Sequence, residues 1–169
     1  MSVDAPADVT YNGNDQTWIP TVKDDDKTLV AGTDYAVSYS NEDRTNVTGL
    51  ITVTIKGLGN YTGEVTRTYQ VNPKGYSVAT QSDSKVYDGK ALTASGEVKG
   101  LVNAADATFA VTGSQTEVGS SSNSYALNFS SDQMAKNYKL DAESVGTLTV
   151  SESAEEIVVT TTGGTFTYD

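Results

Sequence analysis

The chain has 169 residues, with 11 Lys and Arg against 22 Asp and Glu, which gives a formal net charge of −11. This acidity argues against a nucleic-acid partner and against docking on an anionic membrane surface, because both need a basic face. The sequence has no His and no Cys, so disulfides, His-dependent catalysis, haem or iron–sulfur ligation and the usual zinc sites are excluded. No apolar run approaches the roughly 20 residues that a membrane-spanning helix needs, so we expect no membrane insertion.

Apolar and polar residues alternate along much of the chain, as they do in half-buried β-strands. The clearest examples are Tyr35–Tyr39, Ile51–Ile55 and Val65–Val71. Clusters of Gly, Asn, Asp and Pro separate the alternating segments and indicate turns. Only residues 132–136 have the composition of a helical turn, and this segment is too short to be stable by itself. Short strands at this spacing predict an all-β fold.

The sequence contains an internal repeat. Tyr11-Asn12-Gly13 resembles Tyr87-Asp88-Gly89, and Asn60-Tyr61 resembles Asn137-Tyr138 further along each copy. Because the matches occur in the same order with similar spacing, they predict two tandem domains. Tyr168-Asp169 matches Tyr87-Asp88, the start of the motif in the second copy, so the last residues resemble the start of a third copy.

We place the first domain at residues 1–74 and the second at 75–153, each a small immunoglobulin-like β-sandwich, with a modified β-grasp as the alternative. Residues 154–169 are predicted to form a strand-forming tail, either the start of a third repeat or the closing strand of the second domain. We expect Ile157–Thr160 to pair along the second domain, as the strand around Tyr76 pairs along the first. Donation of the tail strand to a neighbouring molecule is the alternative.

The aromatic motifs have a structural and a functional interpretation. In the Tyr-Asn-Gly and Tyr-Asp-Gly triplets, we favour an aromatic residue before a tight turn over a sugar-binding loop. The Tyr of Asn60-Tyr61 and of Asn137-Tyr138 is expected to pack on the core edge and keep its hydroxyl in water. Trp18, the single Trp, is interpreted as a core or inter-domain anchor and not as a sugar platform.

The acidic residues form no recognisable catalytic or metal site. Asp24-Asp25-Asp26 lacks the alternating ligands of a calcium loop and is predicted to be a solvated hairpin turn. Nothing in the sequence places Asp106 and Asp132, or any other pair, at the separation that glycoside hydrolysis needs. We therefore predict no catalytic, cofactor-binding or metal-binding residues, no cofactor and no enzymatic activity. We also predict no Lys–Asn isopeptide bond, with Lys56 and Lys85 as the lysines to examine if one is found.

Several of these motifs together resemble tandem repeats of large surface proteins from Gram-positive and gut bacteria. The first copy resembles one such repeat almost throughout, and the second is similar to the "YDG"-type (MBG-like) repeats often found beside it. The segments that carry the resemblance are Tyr11–Gly13, Gly32–Ser40, Val53–Gly63, Thr66–Val71, Val86–Gly89 and Asn137-Tyr138. The resemblance implies immunoglobulin-like or modified β-grasp stalk modules of extracellular, adhesin-like proteins.

The expected function is that of a non-catalytic spacer at the bacterial cell surface, whose partners are the neighbouring repeats of the same chain. The alternative is a binding module for host glycan or extracellular protein, which would use exposed Tyr side chains and Trp18. An aromatic patch confined to one copy would favour binding. Burial of the same aromatic residues in both copies would favour the spacer.

Overall fold

The computed structural model describes residues 1–165 and 167–168. About 45% of the structure is strand and about 5% is helix, which confirms the all-β prediction, and the arrangement of several sheets is sandwich-like. In the part of the chain that the structure describes, no helix has the length and apolar character needed to cross a membrane.

The N-terminal half, residues 1–72, folds into two sheets with the strand orders β1-β3-β4 and β2-β7-β6-β5. Strand β2 runs parallel to β7, whereas the other neighbouring strands are antiparallel. The strands are β1 (Ser2–Val3), β2 (Val9–Thr10), β3 (Val22–Asp24), β4 (Lys27–Thr28), β5 (Tyr35–Tyr39), β6 (Leu50–Gly57) and β7 (Glu64–Asn72).

The C-terminal half, residues 74–151, contains three sheets, with the orders β10-β8-β14, β12-β15-β9 and β11-β13. A 3-10 turn (Ala104–Asp106) and one short helix, α1 (Asp132–Lys136), lie between its strands. The strands are β8 (Lys74–Thr80), β9 (Asp83–Val86), β10 (Gly96–Lys99), β11 (Ala107–Val111), β12 (Gly119–Ser122), β13 (Tyr125–Phe129), β14 (Tyr138–Ser144) and β15 (Thr147–Ser151).

Two backbone features recur in both halves. In each half an early strand pairs in parallel with the last strand, β2 with β7 and β9 with β15. The Tyr that follows the early strand then donates its backbone N–H to the end of the last strand. Tyr11 donates to Asn72 O and Tyr87 donates to Ser151 O, each at 2.9 Å. Among the described residues, every strand pairing lies within one half.

Where the sequence alternates most clearly, every second side chain of a strand faces a core. In the N-terminal half, Ile51, Val53 and Ile55 alternate along β6, have no exposed surface, and pack with Val22 and Tyr69. The C-terminal half has a smaller core of its own, in which Leu148 and Val150 of β15 pack with Leu92. Two further buried residues of the C-terminal half, Asn137 and Tyr138, lie where it meets the N-terminal half.

Gly146 allows two chain segments to cross closely where β14 gives way to β15 in another sheet. Its N–H donates to Thr80 Oγ1 at 2.9 Å, and a Cβ at this position would lie 2.2 Å from the backbone oxygen of Gln81. Only glycine fits such a close approach of two backbones.

We therefore expect Gly146→Ala to lower the free energy of unfolding by about 1 to 3 kcal/mol, as overpacked core positions do. Urea denaturation followed by circular dichroism measures the loss. Gly163→Ala is the matched control, since a Cβ there meets no atom within 4 Å. Equal stability of the two variants would contradict the close crossing.

Two local predictions are confirmed. Strands β3 and β4 pair through the two-residue turn Asp25-Asp26, where Asp25 has a φ of 49°, so the acidic run forms the predicted hairpin. The predicted helical turn is α1, whose N-cap residue Ser131 accepts the N–H of Met134 on its hydroxyl oxygen at 3.0 Å.

The strand around Tyr76 does not pair with the N-terminal half. This strand, β8, lies between β10 and β14 of the C-terminal half. The prediction is wrong because Pro73, which has no backbone N–H, separates β7 from β8. The ladder of the first half ends at Asn72 and a new one begins at Lys74.

The tail does not form the expected strand along the second domain. Residues 152–165 contain no strand, and Ile157 and Val158 are exposed. Strand β15, which precedes the tail, is paired with β12 on one side and with β9 on the other. Neither edge of β15 is therefore available for pairing with the tail. Asp169, part of the third sequence match, lies outside the described residues, as does Phe166.

Candidate functional site

A buried cluster of aromatic and polar side chains lies at the junction between the two halves. It forms around the point where β7 passes into β8 with only Pro73 between them. Tyr11 and Val71 of the N-terminal half are buried there against Tyr138 of the C-terminal half. The partly buried residues around them are Val9, Val47, Tyr76, Leu101, Val102, Phe129 and Met134.

Aromatic rings from both halves meet at the centre of the junction. The ring of Tyr11 packs edge-on to that of Tyr138, with 5.4 Å between centroids, and Phe129 stacks on Tyr138 at 5.6 Å. Tyr76 contacts both Phe129 and Tyr138 in edge-on geometry. Such pairs contribute about 0.5 to 1.5 kcal/mol each beyond the burial of apolar area. The Tyr11–Tyr138 pair joins the two halves, and the other three pairs hold the rings of the C-terminal half in place against it.

Asn137 ties the halves together by hydrogen bonds. Its side chain is fully buried. Its Oδ1 accepts the backbone N–H of Val47 at 2.9 Å, and its Nδ2 donates to Asn46 Oδ1 at 2.7 Å. A buried amide without these partners would be costly, so the bonds define one relative position of the β5–β6 loop and the start of β14.

Helix α1 completes this network. Gln133 donates through Nε2 to Val47 O at 2.9 Å and to Asn137 Oδ1 at 3.1 Å. From the same turn of helix, Met134 accepts the hydroxyl of Tyr11 on its sulfur at 3.6 Å. The capped single turn therefore supplies a polar and an apolar contact to the N-terminal half.

The hydroxyl of Tyr138 is fixed by a buried carboxylate. It donates to Asp106 Oδ2 and accepts the N–H of Val102 at 2.8 Å. Asp106, which is 6% exposed, closes the 3-10 turn by also accepting the N–H of Asn103 at 3.2 Å. Burial, followed by donation to this carboxylate, raises the pKa of Tyr138 to about 12. The expectation that this hydroxyl stays in water is therefore wrong.

The repeated triplets form the predicted turns, since Gly13 and Gly89 have φ values of 79° and 76°. Their tyrosines have different surroundings. Tyr11 is 4% exposed because the C-terminal half covers it, whereas Tyr87 is 40% exposed. The equivalent aromatic residues are thus neither buried in both copies nor gathered into a patch in one.

The other aromatic candidates lie against the core of the N-terminal half. Tyr61 packs on that core from the edge, with Lys27 Nζ 3.4 Å from its hydroxyl, as the structural interpretation expects. Trp18 also packs against the core, although it lies outside any strand. Tyr39 donates its hydroxyl to Trp18 O at 2.8 Å and so fixes this segment.

The acidic candidates are dispersed. Asp106 belongs to the junction, whereas Asp132 is exposed at the start of α1. Across residues 1–165 and 167–168, no group of three or more acidic side chains is placed to hold a metal ion. Lys85 pairs with Asp88 at 2.7 Å and donates to the backbone of Lys90.

Comparisons of the chain with models of protein families, with curated proteins and with solved structures found no match.

Sequence reasoning missed the junction residues Asn46, Val47, Gln133 and Met134, and it considered Asp106 only as a candidate acid. These residues come together only when the second half packs on the first, and no local pattern encodes that contact. One signal was present, since the Asn103–Asp106 spacing is typical of a capped turn. A second signal was the helical turn at residues 132–136, which precedes Asn137-Tyr138 in the second copy. The first copy has no such turn before Asn60-Tyr61.

Proposed function

We propose that the chain is a non-catalytic spacer in a bacterial extracellular surface protein, built from two tandem immunoglobulin-like domains. In this role it holds another part of the protein away from the cell. The observation that carries the proposal is the junction, because consecutive repeats joined by a flexible linker would not need a buried aromatic cluster and a buried amide between them.

A spacer gains reach only when its joints resist bending. Three features of the junction oppose bending here. Pro73 fixes its own φ angle, Asn137 bonds to the β5–β6 loop, and Tyr11 packs against Tyr138. Breaking the joint would expose apolar rings and leave buried polar groups without partners.

The location of the junction favours an elongated arrangement. Strands β8 and β14 begin at the junction and run parallel to each other, whereas β15 ends beside Tyr87. Tyr87 is the counterpart of Tyr11, so the C-terminal half has its own equivalent of the junction surface at its far end. The net charge of −11 also suits a surface that stays soluble and avoids nonspecific contacts.

Small-angle scattering tests this arrangement. We expect a radius of gyration clearly above the roughly 15 to 16 Å of one compact domain of this length. We also expect Asn137→Ala to broaden the distribution of particle dimensions, because the amide no longer bonds to residues 46–47. Asn60→Ala, at the equivalent exposed position, is the control and should leave the profile unchanged. A compact particle would contradict the spacer.

The alternative function, a binding module for host glycan or extracellular protein, draws on the exposed ring of Tyr87. A glycan array probed with the intact chain and with Tyr87→Ala tests it. Binding that the substitution abolishes would favour this alternative over the spacer.

A further inference from the structure

The far end of the C-terminal half reproduces the N-terminal side of the junction. Tyr87 donates its backbone N–H to the end of β15 as Tyr11 does to the end of β7, at the same distance of 2.9 Å. The glycines that follow, Gly89 and Gly13, have φ values within a few degrees of each other. Both ends therefore present a tyrosine, a tight turn and the exit of the last strand together.

The two ends differ in what covers them. The ring of Tyr11 lies under Tyr138 and Met134, which leaves it 4% exposed. Tyr87 is 40% exposed, and its neighbour Val86 is also exposed. An open concave surface lies here, lined by Tyr87, Asp88, Ser153, Glu155 and Ile157.

We propose that the Tyr87-Asp88-Gly89 end is a docking face for a further β domain of the same repeat type, which follows in the same chain. This domain would cover Tyr87 as the C-terminal half covers Tyr11. It would present a tyrosine edge-on to the Tyr87 ring, as Tyr138 does to Tyr11 at the existing junction. The inference rests on the proposed spacer function and extends it to a specific surface.

The position of the chain exit favours a tethered partner. The chain leaves β15 at Ser151, directly beside Tyr87, and at the existing junction one residue suffices between the last strand and the next domain. A tether raises the effective concentration of the partner to the millimolar range. A linked domain therefore reaches this face more readily than a separate copy does, and separate copies also each carry a net charge of −11.

An extended chain tests the inference. Residues 1–151 are followed directly by a second copy of residues 73–151, which restores the one-residue Pro73 linker. The appended copy carries Tyr87→Phe so that only the original Tyr87 is observed. Tetranitromethane nitration, read by peptide mass spectrometry, is compared with that of the 169-residue chain. We expect the nitration rate of Tyr87 to fall about tenfold, in line with the exposed fractions of 40% and 4% for Tyr87 and Tyr11.

Tyr11 serves as the internal reference. If Tyr11 is protected and Tyr87 keeps its rate in the extended chain, the docking face is overturned and the spacer stands. If Tyr11 of the 169-residue chain is itself as reactive as Tyr87, the junction is open and the proposed function fails with it.

A second extended chain keeps residues 152–156 between the original chain and the appended copy. This longer linker tests whether the short linker prevents the appended copy from reaching Tyr87. Tyr87 that stays reactive in both extended chains overturns the inference. Protection of Tyr87 by a glycan, but by neither appended copy, would assign the face to the glycan-binding alternative.

Discussion

Tyr138→Ala is expected to lower the free energy of unfolding by about 3 to 5 kcal/mol, the usual loss for a large buried aromatic side chain. Tyr138 is 5% exposed and contacts rings from both halves. Its removal also leaves Asp106 buried without its hydroxyl donor, which adds to the loss. Urea denaturation followed by circular dichroism measures the effect.

The matched control is Tyr61→Ala, which removes the equivalent tyrosine of the first copy. Tyr61 is only partly buried, and its hydroxyl contacts the exposed end of Lys27, so we expect less than half of the loss. The fluorescence of Trp18, which packs in the N-terminal half, follows that half separately. Equal losses for the two variants would show that the contacts of Tyr138 at the junction add nothing to the stability of the protein.

Alkaline pH is expected to weaken the protein between about pH 10 and about pH 12. The pKa of Tyr138 is raised to about 12 in the folded protein, against about 10 in an unfolded chain. In this window the unfolded chain releases the proton and the folded chain keeps it, so stability falls as pH rises. Below about pH 10 Tyr138 keeps its proton in both states, so its whole contribution to stability is present. The difference between the folded and unfolded pKa values corresponds to about 2 to 3 kcal/mol of the free energy of unfolding.

Denaturation in urea across this pH range measures the effect, and the ultraviolet absorbance of tyrosinate follows the titration itself. Tyr11 and Tyr76 also have pKa values raised by burial, so part of the slope remains when Tyr138 is replaced by Phe. The Tyr138→Phe variant should nevertheless lose less stability over this range than the original chain. Equal slopes for the two proteins would contradict the buried contact with Asp106.

The elements that depend on local sequence could be predicted. Alternation located β5, β6 and β7, because a half-buried strand must place every second side chain in the core. The Asp25-Asp26 turn and the single helical turn of α1 follow from short-range preferences for turns and caps. The repeat of Tyr11 at Tyr87 likewise predicted the same backbone turn in both copies.

The contacts that depend on how the two halves meet could not be predicted. Asn137 and Asn60 occupy the same place in the repeat, yet Asn137 is buried and Asn60 is exposed. The difference arises from what lies against each of them and not from the residues themselves. The strand around Tyr76 was misplaced for a related reason, since its alternation does not indicate which of two neighbouring sheets it joins.

The central claim is that the junction holds the two halves in one fixed arrangement. Because the sequence has no Cys, spin labels can be attached only where Cys is introduced, at the exposed strand positions Ser38 and Ala126 of the two halves. Pulsed electron paramagnetic resonance then measures the distance between the labels. We predict one narrow distance distribution that broadens with Asn137→Ala and stays narrow with Tyr87→Ala. A broad distribution in the otherwise unchanged chain would contradict the fixed junction.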